Sequence, residues 1–532
     1  MENYIRLYNT LKYLKIKQIY FRLLYFIRAK LRKLINFKYS FFKESTPVSL
    51  KLKDSIENHC SIYEDNRFIL LNLEKSFQNQ IDWNYADYGK LWTYNLTYFE
   101  YLKKREDISL ISDFIEHIED IKDGLEPFPI SLRGLNWIKF LIKFQIKDKR
   151  ISDSLYAQYY ILLDNLEYHL LGNHLLENGF SLLFGAYYFK DEILYDKAKE
   201  ILEEELAQQI LQDGGHFELS PMYHQLMLFR LLDSINLVQN NLWKKQELLE
   251  LFIEKAEKML GWLKIVSFQN GSIPLFNDST NCIAPRSEEL FLYAKRLGLK
   301  TKNIVLGDSG YRKIYNNNYE CIVDVGEIGS DFIPGHAHAD TFNFELYVRD
   351  MPIIVDTGVS TYNQSTQRER ERSTLSHNTV LVNDTNQTEV WAGFRVARRA
   401  NIILLEEYKN YIKAQHNGYE HHYCLLHQRE FLFKEKQVQI IDTIIAEENK
   451  KIENIKALFH FHPRIVDVKV TQKGVELENI CIEFEGVSDI KLKKYLYAYE
   501  FNSQDSAFYI EVDFNENLIS NIYIKETKDE NY

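Results

Sequence analysis

Two periodicities divide the chain. From about residue 90 to 300, apolar side chains recur at helical spacing with few β-rich runs. Stretches 151–171, 191–211 and 245–266 are predicted helices, separated by polar and glycine positions such as Gly172-Asn173-His174, Asp213-Gly214-Gly215-His216 and Asn270-Gly271-Ser272. After about residue 305 the pattern changes to short β-type runs with turn residues between them, many alternating apolar and polar. Helices in a block followed by strands in a block predict a multidomain α+β chain. Residues 46–304 are expected to form an α/α toroid. Residues 305–532 are expected to form an antiparallel β-sandwich, ending in a loose tail over 528–532.

Ahead of both lies a basic, aromatic, amphipathic helical arm, residues 1–45. Charges interrupt each of its apolar runs, so it reads neither as a signal peptide nor as a membrane span. One reading is an interfacial helix facing anionic lipid; the other is a helix docked on the protein's own body. The expected location is cytoplasmic, with peripheral contact to the inner membrane through this arm.

Composition narrows the function. The 532 residues carry a net charge of -11, which disfavours a nucleic-acid binder and means that an acidic substrate needs a local basic site. Arg368, Arg370, Arg372, Arg395, Arg398 and Arg399 supply one candidate, because guanidinium forks match carboxylates; the Arg-Glu alternation over 368–372 reads equally as a solvated loop. The five cysteines are scattered without metal spacing, which suits a reducing compartment or inert core thiols.

Three constellations could carry chemistry. In Pro334-Gly335-His336-Ala337-His338-Ala339-Asp340, two histidines alternate at what reads as the start of a strand. They would share a face with Asp340 beside them. Later pieces place Asp356 at a strand end and His377 on a following strand. His338, Asp356 and His377 could therefore close a site of the kind zinc accepts, or simply a polar cluster between strands. Asn173, at a predicted helix start, can cap, with His174 and Glu177 one turn apart. In the segment 214–224, Tyr223 is a candidate acid or base.

Taken together, these stretches are recognisable. LWTYNLTYFEYL, SLRGLNWIK, NHLLENGFSLLFGAYYF, DGGHFELSPMYH, GSIPLFNDS, GHAHADTFNFELY, IIVDTGVSTY and the run from STLSHNTVLVND onward resemble, in order, the heparinase II/III-like polysaccharide lyases. The resemblance implies the same toroid-plus-sandwich fold. It also implies β-elimination at a uronic acid of an acidic polysaccharide: a base removes the C5 proton and the C4 oxygen leaves. By similarity Asn173 would bond the substrate carboxylate. His174 and His336 would help neutralise it or act as base, and Tyr223 would be base, acid or both. Arg133, Asn136, Glu177 and Arg372 would be groups around the substrate, and His338, Asp356 and His377 would hold a structural or orienting zinc. The basic arm departs from secreted members and looks like those accompanying capsule, O-antigen or exopolysaccharide synthesis. The competing expectations are a non-catalytic glycan-binding assembly factor and a metal-dependent glycan hydrolase.

Overall fold

The structure, a computed structural model, describes residues 2–446 and 454–526. The expected tail at 528–532 lies outside the described residues. The arm is two helices, α1 (Glu2–Leu11) and α2 (Ile16–Leu34). A three-stranded antiparallel sheet follows, β1 (Ile62–Glu64), β2 (Arg67–Leu70) and β3 (Leu73–Ser76).

The helical domain runs through α3 (Lys90–Tyr98), α4 (Ile108–Glu116), α5 (Pro127–Lys143), α6 (Lys149–Asp164), α7 (Gly172–Phe189), α8 (Glu192–Gln209), α9 (Pro221–Asn240), α10 (Lys245–Val266) and α11 (Ser287–Leu297). Helices α3, α5, α7, α9 and α11 touch in succession, while α6, α8 and α10 pack outside them. This is the inner and outer layering of an α/α toroid. The sequence dictates which helix goes where. Nearly every residue of α7 and α9 is buried, their charged and polar side chains included, whereas α8 and α10 expose a charged face.

The strands form two antiparallel sheets. The smaller has order β4 (Tyr311–Tyr315), β5 (Tyr319–Asp324), β6 (Phe344–Val348), β7 (Met351–Ile354). The chain then passes β8 (Val380–Val382) and a ribbon of β9 (Val390–Trp391) with β10 (Arg395–Val396). The large sheet contains β11 (Ile402–Tyr408), β12 (Tyr411–His416), β13 (Leu425–Lys434), β14 (Gln437–Ala446), β15 (Ile455–His460), β16 (Lys469–Val470), β17 (Gly474–Glu476), β18 (Ile480–Glu500) and β19 (Ser503–Ile524), together with β8, which pairs with β15. Val323, Phe344 and Ile353 of the small sheet share a core with Phe431, Ile440, Phe459 and Ile510 of the large one. A third apolar cluster, including Trp262, Phe268, Tyr311 and Tyr347, seals toroid against sandwich.

Three sequence expectations are corrected here. Asn173 does not cap: it lies inside α7, whose N-cap is Leu171. His336 and His338 are not on a strand, because β6 starts only at Phe344. Their loop is fixed instead by Asp278 N–H donating to His336 O (3.1 Å), Ala339 N–H to Arg372 O (3.0 Å) and His338 N–H to Asn277 Oδ1 (2.9 Å). The cysteines are not all free thiols either. Cys60 and Cys282, 222 residues apart, form a disulfide, which no local spacing could announce. No helix among the described residues is long and apolar enough to cross a membrane.

Candidate active site

The inner helices bring their first turns to the sandwich. Gly172 is needed there: its φ is +60°, and a Cβ would lie 2.7 Å from Glu218 Oε1. That close approach lets Glu218 accept from Asn173 N–H (3.0 Å) and from Asn173 Nδ2 (3.1 Å). Asn173 Nδ2 also points at His336 Nε2, 3.4 Å away. The Tyr223 ring, in the first turn of α9, lies over the His336 ring at 3.9 Å between centroids. Tyr362 Oη–H reaches Tyr223 Oη at 3.4 Å. Asn173, Tyr223 and His336 are thus brought together, although 163 residues separate the first from the last.

His174 stands on the same turn, a third exposed. Its Nδ1 meets Glu167 Oε1 at 3.0 Å, and Glu167 is itself held by Asn178 Nδ2 at 2.9 Å. Burial pulls the imidazole pKa down, but the Glu167 charge and hydrogen bond outweigh it and leave the pKa raised. Tyr223 behaves oppositely. Burial pushes its phenol well above the ordinary range, so it rests neutral and able to donate.

The central group is one the sequence reading missed. Asp278 is fully buried and accepts from His336 Nδ1 and from His338 Nε2, both at 2.8 Å, and from both terminal nitrogens of Arg368 at 2.5 and 2.7 Å. Burial alone would raise its pKa, but Arg368 and the two histidines hold it well below the usual carboxylate range. One carboxylate therefore parts the alternating histidines: Oδ2 takes His336 toward the toroid, and Oδ1 takes His338 into the sandwich. With Nδ1–H directed at Asp278, His336 presents the lone pair of Nε2 toward Asn173. In sequence only the GSIPLFNDS match passed through Asp278, with nothing to mark the residue out.

A cavity of about 110 Å³ opens beside Tyr223, lined also by Tyr98, Phe128, Glu177, Arg230 and Tyr362. Glu177 belongs to that wall, paired with Arg230 Nε at 2.9 Å. Asn136 sits behind it, donating to Tyr98 O at 2.8 Å. Two expectations fail. Arg133 is fully buried, donating to Gln158 Oε1 (2.7 Å), Gly124 O (2.8 Å) and Thr97 O (3.2 Å), so it braces the toroid and does not face substrate. Arg372 is equally buried and donates twice to Ala337 O (2.8 and 3.2 Å), pinning the peptide between the two histidines. Arg368 of the same cluster carries the Asp278 pair, so this guanidinium serves the protein's own carboxylate.

The zinc set is only partly assembled. His338 Nδ1 and His377 Nε2 are buried without a hydrogen-bond partner, with ring centroids 5.3 Å apart, and Asp340 Oδ2 is likewise unpartnered. Burial lowers the His338 pKa to about 3, keeping the ring neutral as a ligand must be. Asp356, however, is directed at His377 Nδ1 (2.8 Å), Asn343 Nδ2 (2.5 Å) and Gly358 N–H (3.0 Å). No group of three His, Cys, Asp or Glu side chains among the described residues is gathered for an ion. His338 Nδ1 and His377 Nε2 are the two nitrogens that could take a metal, and Asp356 orients the ring of His377.

Residues 145–291 match the family model described as heparinase II/III N-terminus, and residues 300–527 the model described as heparinase II/III-like, C-terminal. The chain belongs to the heparinase II/III-like family. Two curated relatives are each described as a heparin-sulfate lyase. That from Bacteroides stercoris is 25% identical over 256 residues, 42% of this chain and 37% of the relative. That from Pedobacter heparinus is 25% identical over 308 residues, 52% of this chain and 44% of the relative. The matches thus span less than half the length of either curated relative. A crystal structure of heparinase III aligns with a TM-score of 0.68 at 18% identity, covering 90% of this chain and 88% of that one. The heparinase fold is thereby shared across both domains. The arm, residues 1–45, lies outside both family models.

Proposed function

We propose that this heparinase II/III-like protein is a polysaccharide lyase that cleaves a uronic-acid-containing acidic polysaccharide by β-elimination. The observation that carries the reading is the stack of Tyr223 on His336, with Asn173 at the free nitrogen of that histidine. A binding module has no need of a phenol held neutral against an imidazole whose other nitrogen is fixed by a buried carboxylate.

The C5 proton of a uronate is weakly acidic because the neighbouring carboxylate is already negative. Neutralising that carboxylate stabilises the enolate-like intermediate. His174, its pKa raised by Glu167, supplies positive charge, and the Asn173 amide supplies a hydrogen-bond donor. His336 Nε2 takes the C5 proton. The electron pair forms the C4–C5 double bond, the C4–O bond breaks, and Tyr223 gives its proton to the departing oxygen. A zinc ion held by His338 Nδ1 and His377 Nε2 would fix the loop that carries His336; no proton transfer requires it. The curated relatives' names suggest a heparin-like polymer. The basic arm supports contact with a membrane and a place beside bacterial surface-polysaccharide synthesis. The redox state of Cys60 and Cys282 in protein taken from cells tests the compartment, since structural disulfides are rare where thiols are kept reduced.

Incubation with uronate polymers tests the reaction. The new double bond is conjugated to the carboxylate and absorbs in the ultraviolet, and Tyr223→Phe should remove that signal with the thermal melt unchanged. Reducing ends released without absorbance would mean hydrolysis. Binding to such polymers without any cleavage would leave the assembly-factor reading standing.

A further inference from the structure

Helix α2 has one face docked on the protein and an apolar face turned away from it. Gln18, Phe21, Tyr25, Arg28 and Arg32 return at intervals of three and four residues and form its inward face. Phe21 stacks on Tyr168 at 4.6 Å, Tyr25 Oη–H donates to Leu166 O at 2.5 Å, Gln18 Nε2 to Leu170 O at 3.0 Å, and Arg28 pairs with Asp164 at 3.2 Å. A helix turns through about 100° per residue, so the opposite side is the row through Ile16, Leu23, Ile27 and Leu34. Those four are 86%, 58%, 54% and 78% exposed. Tyr20, Phe26 and Leu31 widen the row and are more than half exposed as well. An apolar row of this length is not usual on a surface that faces only water.

Charge names what covers it. Residues 1–45 contain eleven Lys or Arg and two Glu in a chain whose net charge is -11. The inward bases are paired with the body, Arg6 to Glu389, Lys17 to Glu204, Arg28 and Arg32 to Asp164. Lys12, Lys30, Lys33 and Lys38 are exposed and have no carboxylate partner among the described residues. Lys30 lies 4.3 Å above the Phe26 ring, on the flank of the apolar row.

We propose that the outward face of α2 lies in the interface of an anionic lipid bilayer, with Leu23 and Ile27 in the acyl boundary and Lys30 and Lys33 at the headgroups. The inward face stays clamped to the toroid, so the whole catalytic body is held at the membrane surface. This deepens the membrane contact proposed above and does not depend on the reaction.

The test is sedimentation of the full chain with vesicles of phosphatidylcholine, with and without phosphatidylglycerol. Binding should require phosphatidylglycerol and weaken with salt. Leu23→Glu with Ile27→Glu, and separately Lys30→Glu with Lys33→Glu, should each reduce binding about tenfold or more. Both variants should keep the wild-type melting profile and the same activity on a soluble polymer, which separates this proposal from the lyase reading. No binding to phosphatidylglycerol vesicles, equal binding without that lipid, or unchanged binding by either variant would overturn it. So would a dimer in solution that dissociates in the Leu23/Ile27 variant, since the occupant would then be a second copy.

Discussion

Asp278→Asn changes one charge and almost no volume, and its consequences can be worked out group by group. The wild-type carboxylate balances the buried Arg368 at 2.5 and 2.7 Å and accepts from two imidazoles at 2.8 Å. The amide removes the countercharge and leaves Arg368, 0% exposed, without one. Breaking a buried pair in this way costs about 3–5 kcal/mol. At either oxygen position the amide nitrogen also faces both a guanidinium N–H and an imidazole. With the amide nitrogen on the His336 side, His336 keeps its contact only by turning Nδ1 into the acceptor, which places the proton on Nε2, where the C5 proton must go. Forcing a comparable hydrogen-bonded histidine into the wrong tautomer costs a factor on the order of 10⁴ in kcat. We therefore expect kcat to fall by about 10²–10⁴ with KM little changed, and the denaturant midpoint to drop. The sign of the acid limb follows from the depressed pKa. Asp278 stabilises the fold above its unfolded value of about 3.9, and that contribution is lost as pH falls through the lower folded value. In Asp278→Asn that acid limb should flatten. Wild-type kcat from the ultraviolet product signal, or an unchanged midpoint with an unchanged acid limb, would refute this assignment.

Arg133→Ala should destabilise the toroid by about 3 kcal/mol or more, because three acceptors lose their donor inside the core, while KM of the folded fraction is retained. A raised KM with an unchanged melt would return Arg133 to the substrate. The His174 pKa is raised, so its positive charge is present below that value and lost above it. kcat/KM should decline on the alkaline side, and His174→Gln should erase that decline in the pH profile. Purified protein should carry about one zinc per chain by elemental analysis. His338→Ala and His377→Ala should each lower that content sharply. Stripping the metal should lower the melting temperature of the wild type and leave that of His377→Ala unmoved.

Period 3.6 followed by period 2 made both domains legible, and 245–266 coincides with α10. The loops were less so. Asn173, His174, Tyr223 and His336 stood out as reactive types at segment ends, and three of them meet. Their geometry was hidden, because it depends on contacts across the toroid–sandwich boundary. Asp278 illustrates why: an aspartate in a loop looks like a turn former until two histidines and an arginine from distant segments arrive on it. Arg133 and Arg372 erred in the other direction. A guanidinium suggests an anionic ligand, but five donors can equally be satisfied by the protein's own carbonyls. The strand reading of His336-Ala337-His338 failed since alternation alone cannot tell a strand from a loop pinned by Asn277, Asp278 and Arg372.

The Cys60–Cys282 bond has a topological meaning. The chain between the two sulfurs includes α5, α7 and α9, and with them Asn173, His174 and Tyr223. Once the bond forms, the toroid from α3 to α10 lies within a covalent macrocycle, and α11 and the β-sandwich are a branch leaving it past the closure point. A single protease cut inside the loop opens the circle without releasing a fragment. Under non-reducing electrophoresis the nicked protein keeps its full mass, and it separates into pieces only when a thiol is added.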